Sequence, residues 1–289
     1  MASPVPALRC RQIVEDDIEN VATLLARGFP NRNRAFWLAA FRQLRRREPP
    51  SGLPKYGYLL ESDGVPVGAL LLICSQIRTA TEVIRRCNVS SWYVEPAFRA
   101  YAAMLVSRAV KHNNITYFNI TPASGTVPIL EAQGYVRYCA GRFVSVPALS
   151  AWSYRFRVKA VDLETRPGDD LPPSEVDLLL AHTNYGCASL VCSSGARRHP
   201  FVFVLARKFG LVPYAYLAYC RDLEDFVRFA GPLGRFLARR GFPVVVLDSN
   251  GPVRGLIGRY SANFPKYFKG PDRPRLGDVA YSERAMFGF

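Results

Sequence analysis

The chain has 289 residues, and 38 Lys and Arg against 23 Asp and Glu give it a formal charge of +15. Its length predicts about two domains, and hydrophobic and aromatic contents of 49% and 12% exclude a disordered chain. The longest apolar run, residues 66–74, is far shorter than the ~20 residues of a membrane-spanning helix, and the N-terminal sequence MASPVPALRC predicts no secretory signal.

The first half shows a hydrophobic pattern that predicts the element order β-α-α-β-β-β-α-β-α-β. The elements are, in chain order, a strand running into a helix in RCRQIVEDD, the end of that helix at Gly28, a second helix after the polar turn at 31–34, a hairpin in YGYLLESDGVPVGALLLICSQI, a strand in RRCNVSSWYV, a helix from about Ala100 to His112, a strand in NITYFNITPA, a short helix from Ser124 to Gln133, and a last strand in YVRYCAGRFVSV. The pattern is typical of a mixed sheet with helices packed on it.

The joint between a strand and a helix in WYVEPAFRAYAAMLVSRAV is the most informative stretch. The strand is predicted to end at Val94, Pro96 breaks it, and the helix is predicted to open at Arg99. The side chains predicted to face inward from this helix are Tyr101, Met104, Leu105 and Ala109. Free N–H groups at a helix start, together with the positive end of the helix dipole, attract phosphate. The sequence therefore predicts an anion-binding site here.

The second half is predicted to repeat the first. Residues 64–74, GVPVGALLLIC, share their Gly-to-Cys spacing with residues 210–220, GLVPYAYLAYC, and ITYFNITPASG has an echo in FPVVVLDSNG. The second copy is shorter by about one strand and its loop, so the strand and the phosphate-facing joint are expected to be missing there. The boundary is predicted near residues 147–152.

The residues of the first half resemble the GNAT superfamily of acyl-CoA-dependent N-acyltransferases. The likeness is carried by YVEPAFR, by EAQGYVRY, and by Arg99, Ala102 and Met104, which stand where the family's pyrophosphate loop has Arg or Gln, Gly, and Gly or Ala. It covers residues 8–148 by element order and is specific over 90–138. Both loop glycines are replaced, and Leu130 stands where the family often has a tyrosine that acts as general acid to the departing thiolate.

The resemblance implies an α/β (mixed α+β) fold with a GNAT-like mixed sheet flanked by helices, in two similar halves. Residues 1–148 would bind acyl-CoA, as acetyl-CoA or a longer thioester, and residues 149–289 would be a degenerate copy. No metal is implied. The residues implied to bind the cofactor are Val94, Phe98, Arg99, Ala100, Tyr101, Ala102 and Ala103. The alternative for Arg99 is a surface arginine that pairs with Glu95.

Catalytic residues are less clearly marked. A main-chain N–H near Tyr93 or Val94 would polarise the thioester carbonyl. Tyr93 and Tyr117 are candidate acids, although aromatic residues on strands usually belong to a core. Glu82 and Glu95, on either side of the strand, are candidate bases through an ordered water molecule, although solvated carboxylates are the simpler interpretation. The positive charges of Arg32 and Arg34 suit an anionic acceptor. The alternative is that both belong to a polar loop before a helix and bind no substrate.

Seven cysteines are scattered without a tight framework, and most lie in apolar runs as small buried residues. This pattern predicts a reducing, cytoplasmic environment. Cys187 and Cys192 with His182 and His199 have metal-ligand types, but their spacing matches none of the common zinc arrangements.

The most favoured function is transfer of an acyl group from acyl-CoA to an amine of a small-molecule or sugar-like acceptor, by direct attack in a ternary complex. One alternative is a non-catalytic acyl-CoA-binding or interaction protein. Another is a basic binder of nucleic acid or anionic surfaces, which the charge allows but which no nucleic-acid motif supports specifically. A monomer or a homodimer is expected.

Overall fold

A computed structural model describes residues 7–78, 82–150, 156–164, 170–208 and 211–288. Contacts divide the chain into two compact units: unit 1 comprises Met1–Asn119 and Lys269–Asp272, and unit 2 comprises Ile120–Phe268 and Arg273–Phe289. Both units are mixed α/β, as the sequence predicts. No helix in the described ranges is long and apolar enough to cross a membrane.

Unit 1 is built on a sheet in which β1 to β4 are antiparallel neighbours and β5 runs parallel to β4. Its strands and α-helices are β1 (Leu8–Gln12), α1 (Ile18–Gly28), α2 (Arg34–Arg45), β2 (Gly57–Ser62), β3 (Val65–Arg78), β4 (Val83–Val94), α3 (Ala102–Ala109) and β5 (Thr116–Asn119). β2 and the middle of β3 are continuously buried, so the core of this unit lies on both faces of its central strands.

The two helices after β1 form where the sequence predicts them. The side chain of Asn33 caps α2 by accepting the N–H of Phe36 at 2.9 Å, which ends the polar turn. The apolar stripes of both helices face the core, with Ile18, Val21 and Leu25 buried on α1 and Trp37, Ala40, Phe41 and Leu44 buried on α2. Period-3.6 patterning alone therefore positions this layer.

Unit 2 contains a seven-stranded sheet in the order β13-β7-β12-β11-β10-β9-β8. Its elements are α4 (Val127–Ala132), β6 (Val136–Cys139), β7 (Gly141–Ser145), β8 (Phe156–Ala160), α5 (Pro173–Asn184), β9 (Ala188–Ser194), β10 (Arg197–Lys208), β11 (Val212–Cys220), α6 (Leu223–Arg239), β12 (Val244–Ser249), β13 (Gly258–Ser261), β14 (Lys266–Lys269) and α7 (Glu283–Phe287). Phe201, Phe203, Phe226 and Phe229 form the aromatic centre of its core.

The predicted repeat is present, but the predicted correspondence between the strands of its two copies is shifted by one strand. β11 is antiparallel to β10 and parallel to β12, which is how β4 lies between β3 and β5. The segment that ends at Cys220 is therefore the counterpart of β4 and not of β3, and no strand is missing from the second copy. The shared Gly-to-Cys spacing does not identify the equivalent strand, because neighbouring strands of both copies are apolar and of similar length.

The predicted last strand, YVRYCAGRFVSV, is two strands with different partners. β6 pairs with β14, whereas β7 pairs with β12 and β13 inside the sheet of unit 2. Residues 120–148, which the sequence places in the first half, accordingly belong to unit 2. The division into functional halves at residue 148 stays a prediction.

Candidate functional site

The sheet of unit 1 opens between β4 and β5. The two strands are paired at only three positions, Arg86–Thr116, Cys87–Tyr117 and Asn88–Phe118. At the last of these, the buried Asn88 amide donates to the Phe118 carbonyl at 3.1 Å. Beyond this point β4 continues to Val94 and keeps its ladder with β3 alone among the described residues, so a V-shaped gap lies beside the second half of β4.

A β-bulge interrupts β4 where it borders the gap. The register with β3 passes from Leu71–Ser90 to Ala69–Tyr93, so β4 contributes one more residue than β3. Ser91 lies in this bulge with a φ of 52°, a left-handed conformation that is uncommon for residues other than glycine. A bulge leaves main-chain polar groups without ladder partners. This feature, which the sequence did not reveal, lies close to the predicted main-chain contact at Tyr93 or Val94.

The joint after β4 is tighter than the sequence predicts. Pro96–Tyr101 form a 3-10 helix, and α3 begins only at Ala102. The N–H of Phe98 donates to the Glu95 carbonyl at 2.9 Å, and the N–H of Ala102 donates to the Arg99 carbonyl. Proline at the first helical position favours this tight turn. At least these two N–H groups, both predicted to face a phosphate, are therefore already bonded within the turn.

Of the four side chains predicted to face inward from this helix, Leu105 and Ala109 are buried, whereas Tyr101 and Met104 are not. Tyr101 and Met104 are 40% and 37% exposed, whereas Leu105, Val106 and Ala109 are buried. The 3-10 turn changes the angular position of the residues that follow it, which is why the predicted inward stripe is wrong at its N-terminal end.

Arg99 is exposed at this joint and has no ion pair in the described part of the chain. The alternative partner, Glu95, instead accepts a hydrogen bond from Arg27 Nη2 at 2.6 Å. This ion pair ties the last turn of α1 to the end of β4. The Arg99 guanidinium is thus free to bind an anion from solvent.

An aromatic cluster borders the C-terminal end of β4. The Tyr93 ring lies against the backbone of Gly28 so closely that a Cβ on Gly28 would stand 2.3 Å from Tyr93 Cγ. The Phe29 ring centroid is 6.4 Å from that of Tyr93 and 5.4 Å from that of Trp37. Glycine at position 28 is therefore required by the position of the Tyr93 ring.

Tyr117 is buried in the paired part of the sheet. It lies opposite Cys87, and its hydroxyl accepts the N–H of His112 at 3.4 Å. Burial raises the pKa of Tyr117, so this phenol keeps its proton.

Glu82, just before β4, is exposed, and Leu130 is buried on α4 of unit 2.

The two arginines predicted to contact an acceptor have partners within unit 1. Arg34 forms an ion pair with Glu19 and donates from Nε to Thr23 Oγ1 at 3.1 Å. The Arg32 guanidinium lies 4.6 Å from the centroid of the Phe36 ring. Both arginines would have to share these contacts with an anionic acceptor.

Cys74 and Cys87 lie opposite each other across β3 and β4 and form a disulfide. The expectation of a buried free thiol is wrong for these two, because the antiparallel register brings residues 13 positions apart together. The cysteine pattern therefore no longer argues for a reducing compartment.

The residues considered for zinc have other contacts. Cys187 and Cys192 are buried, which raises the pKa of each thiol to about 12. His182 Nδ1 lies 2.7 Å from the Leu178 carbonyl, and His199 Nδ1 lies 2.9 Å from Asp225 Oδ2. The described residues contain no group of three or more side chains that could hold a metal ion.

Solved structures with the same fold cover most of the chain. A GCN5-related N-acetyltransferase from Anabaena variabilis is 10% identical with a TM-score of 0.57, and the match covers 91% of this chain and 72% of that one. A GCN5-related N-acetyltransferase from Kribbella flavida is 14% identical with a TM-score of 0.55, covering 91% and 71%. Neither a protein-family model nor a curated protein sequence matches the chain. At these identities the likeness shows the fold, and it confirms the fold that the resemblance implied.

Proposed function

Given the fold of GCN5-related N-acetyltransferases, we propose that unit 1 binds acyl-CoA in the gap between β4 and β5 and transfers the acyl group to an amine. The observation that carries this proposal is the end of strand pairing at Asn88–Phe118, followed by a bulge at Ser91. An open strand edge offers main-chain donors and acceptors to the amide groups of a pantetheine arm, much as it does to an added strand.

The diphosphate of the cofactor would lie at the joint after β4. The exposed Arg99 guanidinium supplies charge-assisted hydrogen bonds to phosphate. The start of α3 at Ala102 would add to this charge, because the positive end of the helix dipole favours an anion. Alanine at position 102, in place of the family's glycine, is compatible with a helical backbone. The side chain of Met104, at the second glycine position, is partly exposed and is not part of the core.

Chemistry would proceed by direct attack of the amine on the thioester. Unpaired main-chain groups at the bulge would polarise the thioester carbonyl, because donors fixed in advance stabilise the developing oxyanion. Glu95, held by Arg27, would take the amine proton through a water molecule. Tyr93 borders the gap and would position or protonate the departing thiolate, whereas Tyr117 would support the sheet from within the core. The acceptor would be a small molecule or a sugar-like amine.

The cofactor assignment is tested by reversing the charge of Arg99. Arg99→Glu should weaken CoA binding about 10–100-fold in calorimetry, since a hydrogen bond to a charged group contributes ~1.5–3 kcal/mol. Arg108→Glu, an equal charge change on the exposed side of α3, is the matched control and should change the affinity less than about threefold. Equal effects of the two variants would refute the diphosphate site.

Transfer itself is tested by the release of free CoA thiol from acetyl-CoA and longer thioesters with a panel of amines. Thiol release that depends on the amine supports an acyltransferase. Tight CoA binding with no release for any amine would leave the non-catalytic acyl-CoA-binding protein. A binder of nucleic acid or anionic surfaces would instead show affinity that falls steeply with salt and ignores CoA.

A further inference from the structure

A second gap opens in the sheet of unit 2, at the place equivalent to the first. β11 and β12 are paired in parallel at three positions only, Tyr214–Val244, Ala215–Val245 and Tyr216–Val246. β11 then continues to Cys220 and β12 to Ser249 without further pairing between them in the described residues. The geometry repeats that of β4 and β5.

The main chain of this second gap is occupied by residues 277–286, which we name the C-terminal strap. The N–H of Cys220 donates to the Gly277 carbonyl at 2.9 Å, and the N–H of Val279 donates to the Ala218 carbonyl at 2.9 Å. Tyr219 and Asp278 face each other in an antiparallel bridge. The strap therefore adds to the free edge of β11 as an extended peptide adds to a sheet.

Buried side chains and polar contacts hold the strap in unit 2. Ala280 and Ser282 are fully buried. The N–H of Tyr281 donates to His182 Nε2 at 3.2 Å, so the Nδ1–H of the same ring faces the Leu178 carbonyl. The Cys187 thiol donates to the Ala285 carbonyl at 3.3 Å. The histidine and the cysteine that suggested metal ligands thus act as anchors for this segment.

The joint after β11 is also unsuited to a diphosphate. Asp222 caps α6 by accepting the N–H of Asp225 at 2.6 Å, and Glu224 and Asp225 lie in the first turn. These carboxylates satisfy the helix start and repel a second anion. The equivalent joint in unit 1 carries the exposed Arg99 and no acidic residue in its first turn.

We propose that the gap of unit 2 is a peptide-binding groove and that its resident ligand is the chain's own C-terminal strap. Each chain then binds a single acyl-CoA, in unit 1. The statement about stoichiometry rests on the proposed function, whereas the statement about the strap does not.

The fit of the strap is tested with two glycines of similar backbone conformation. Gly277 has a φ of 75°, and a Cβ there would stand 2.6 Å from Cys220 Sγ; Gly241 has a φ of 86° and open space around it. Both alanine variants share the cost of a left-handed backbone, so a difference between them reports the contact with Cys220.

The readout is the rate at which iodoacetamide modifies Cys220 in the full chain, followed by peptide mass spectrometry. In the wild type and in Gly241→Ala, Cys220 should react at least about 100-fold more slowly than the partly exposed Cys10, because its thiol is buried under the strap. In Gly277→Ala the Cys220 rate should rise at least about tenfold while that of buried Cys192 stays unchanged. Equal rates in the two variants, or a wild-type Cys220 as reactive as Cys10, would overturn the proposal.

Calorimetric titration of the wild type with CoA supplies the second arm. One CoA per chain supports the strap as the occupant of the second gap. Two per chain would overturn the strap proposal and leave the proposed function intact. No binding would overturn the proposed function, and the Cys220 rates would then decide the strap proposal on their own.

Discussion

Gly28 is the position where one methyl group most directly perturbs the border of the candidate site. A Cβ on Gly28 would stand 2.3, 2.4 and 2.7 Å from three atoms of the Tyr93 ring, so the ring must retreat by at least about 1.2 Å to reach ordinary contact distance. Overpacking of this kind costs ~1–3 kcal/mol. The better helix propensity of alanine offsets at most ~1 kcal/mol at the end of α1. Gly28→Ala should therefore lower the free energy of unfolding by ~1–2 kcal/mol.

Urea denaturation measures this change, with Gly125→Ala as the control because a Cβ on Gly125 has nothing within 4 Å. Combining Gly28→Ala with Tyr93→Ala removes the ring that clashes, so alanine at position 28 should then cost less than ~0.5 kcal/mol. The same displacement of Tyr93 at the border of the gap should weaken CoA binding. Additive free energies in the double-mutant cycle would refute the claim that Tyr93 is the reason for glycine at this position.

Two further predictions concern charged side chains with ionic partners. Lys266 is fully buried beside Asp248 in unit 2, and burial lowers the pKa of its ammonium group to about 8. Because the unfolded chain binds this proton more tightly, the free energy of unfolding should rise by about 1 kcal/mol from pH 7.5 to 9. Denaturation curves measured across this pH range should show the rise in the wild type and not in Lys266→Met. In unit 1, Arg11 donates to Asp17 at 2.6 and 2.7 Å and to Glu61 at 2.9 Å. Arg11→Met should therefore lower the free energy of unfolding by ~2 kcal/mol. The control, Arg9→Met at an exposed position, should lower it by less than ~0.5 kcal/mol. Arg11 lowers the pKa of Asp17, so the difference should shrink as the pH falls below about 4, and a constant difference down to pH 2 would count against this ion pair.

The elements of unit 1 could be predicted because their signals are local. The stripe Trp37, Ala40, Phe41 and Leu44, the capping turn at Asn33 and the helix end at Gly28 are patterns within a few residues of one another. The same holds for the strand end at Val94 and the break at Pro96. These signals were enough to indicate a mixed α/β chain and the place of the candidate site.

The parts of the site that could not be predicted depend on which strands meet. The bulge at Ser91 exists only because β4 is paired with β3 in one register, and the Arg27–Glu95 ion pair needs the packing of α1 beside the end of β4. Local sequence patterns do not encode register or partners. The disulfide between Cys74 and Cys87 and the contact of Gly28 with Tyr93 were missed for the same reason.

Hydrophobic periodicity, prolines and glycines by themselves determined the fold class, the helix faces and the strand–helix joint, because each of these follows from the chemistry of neighbouring residues. Tertiary structure alone decided that β11 is the partner of β12, that β7 joins the second sheet, and that the C-terminal strap fills the second gap. These features depend on contacts between distant segments, where several apolar strands of similar length compete for the same edge and only the packed sheet selects among them.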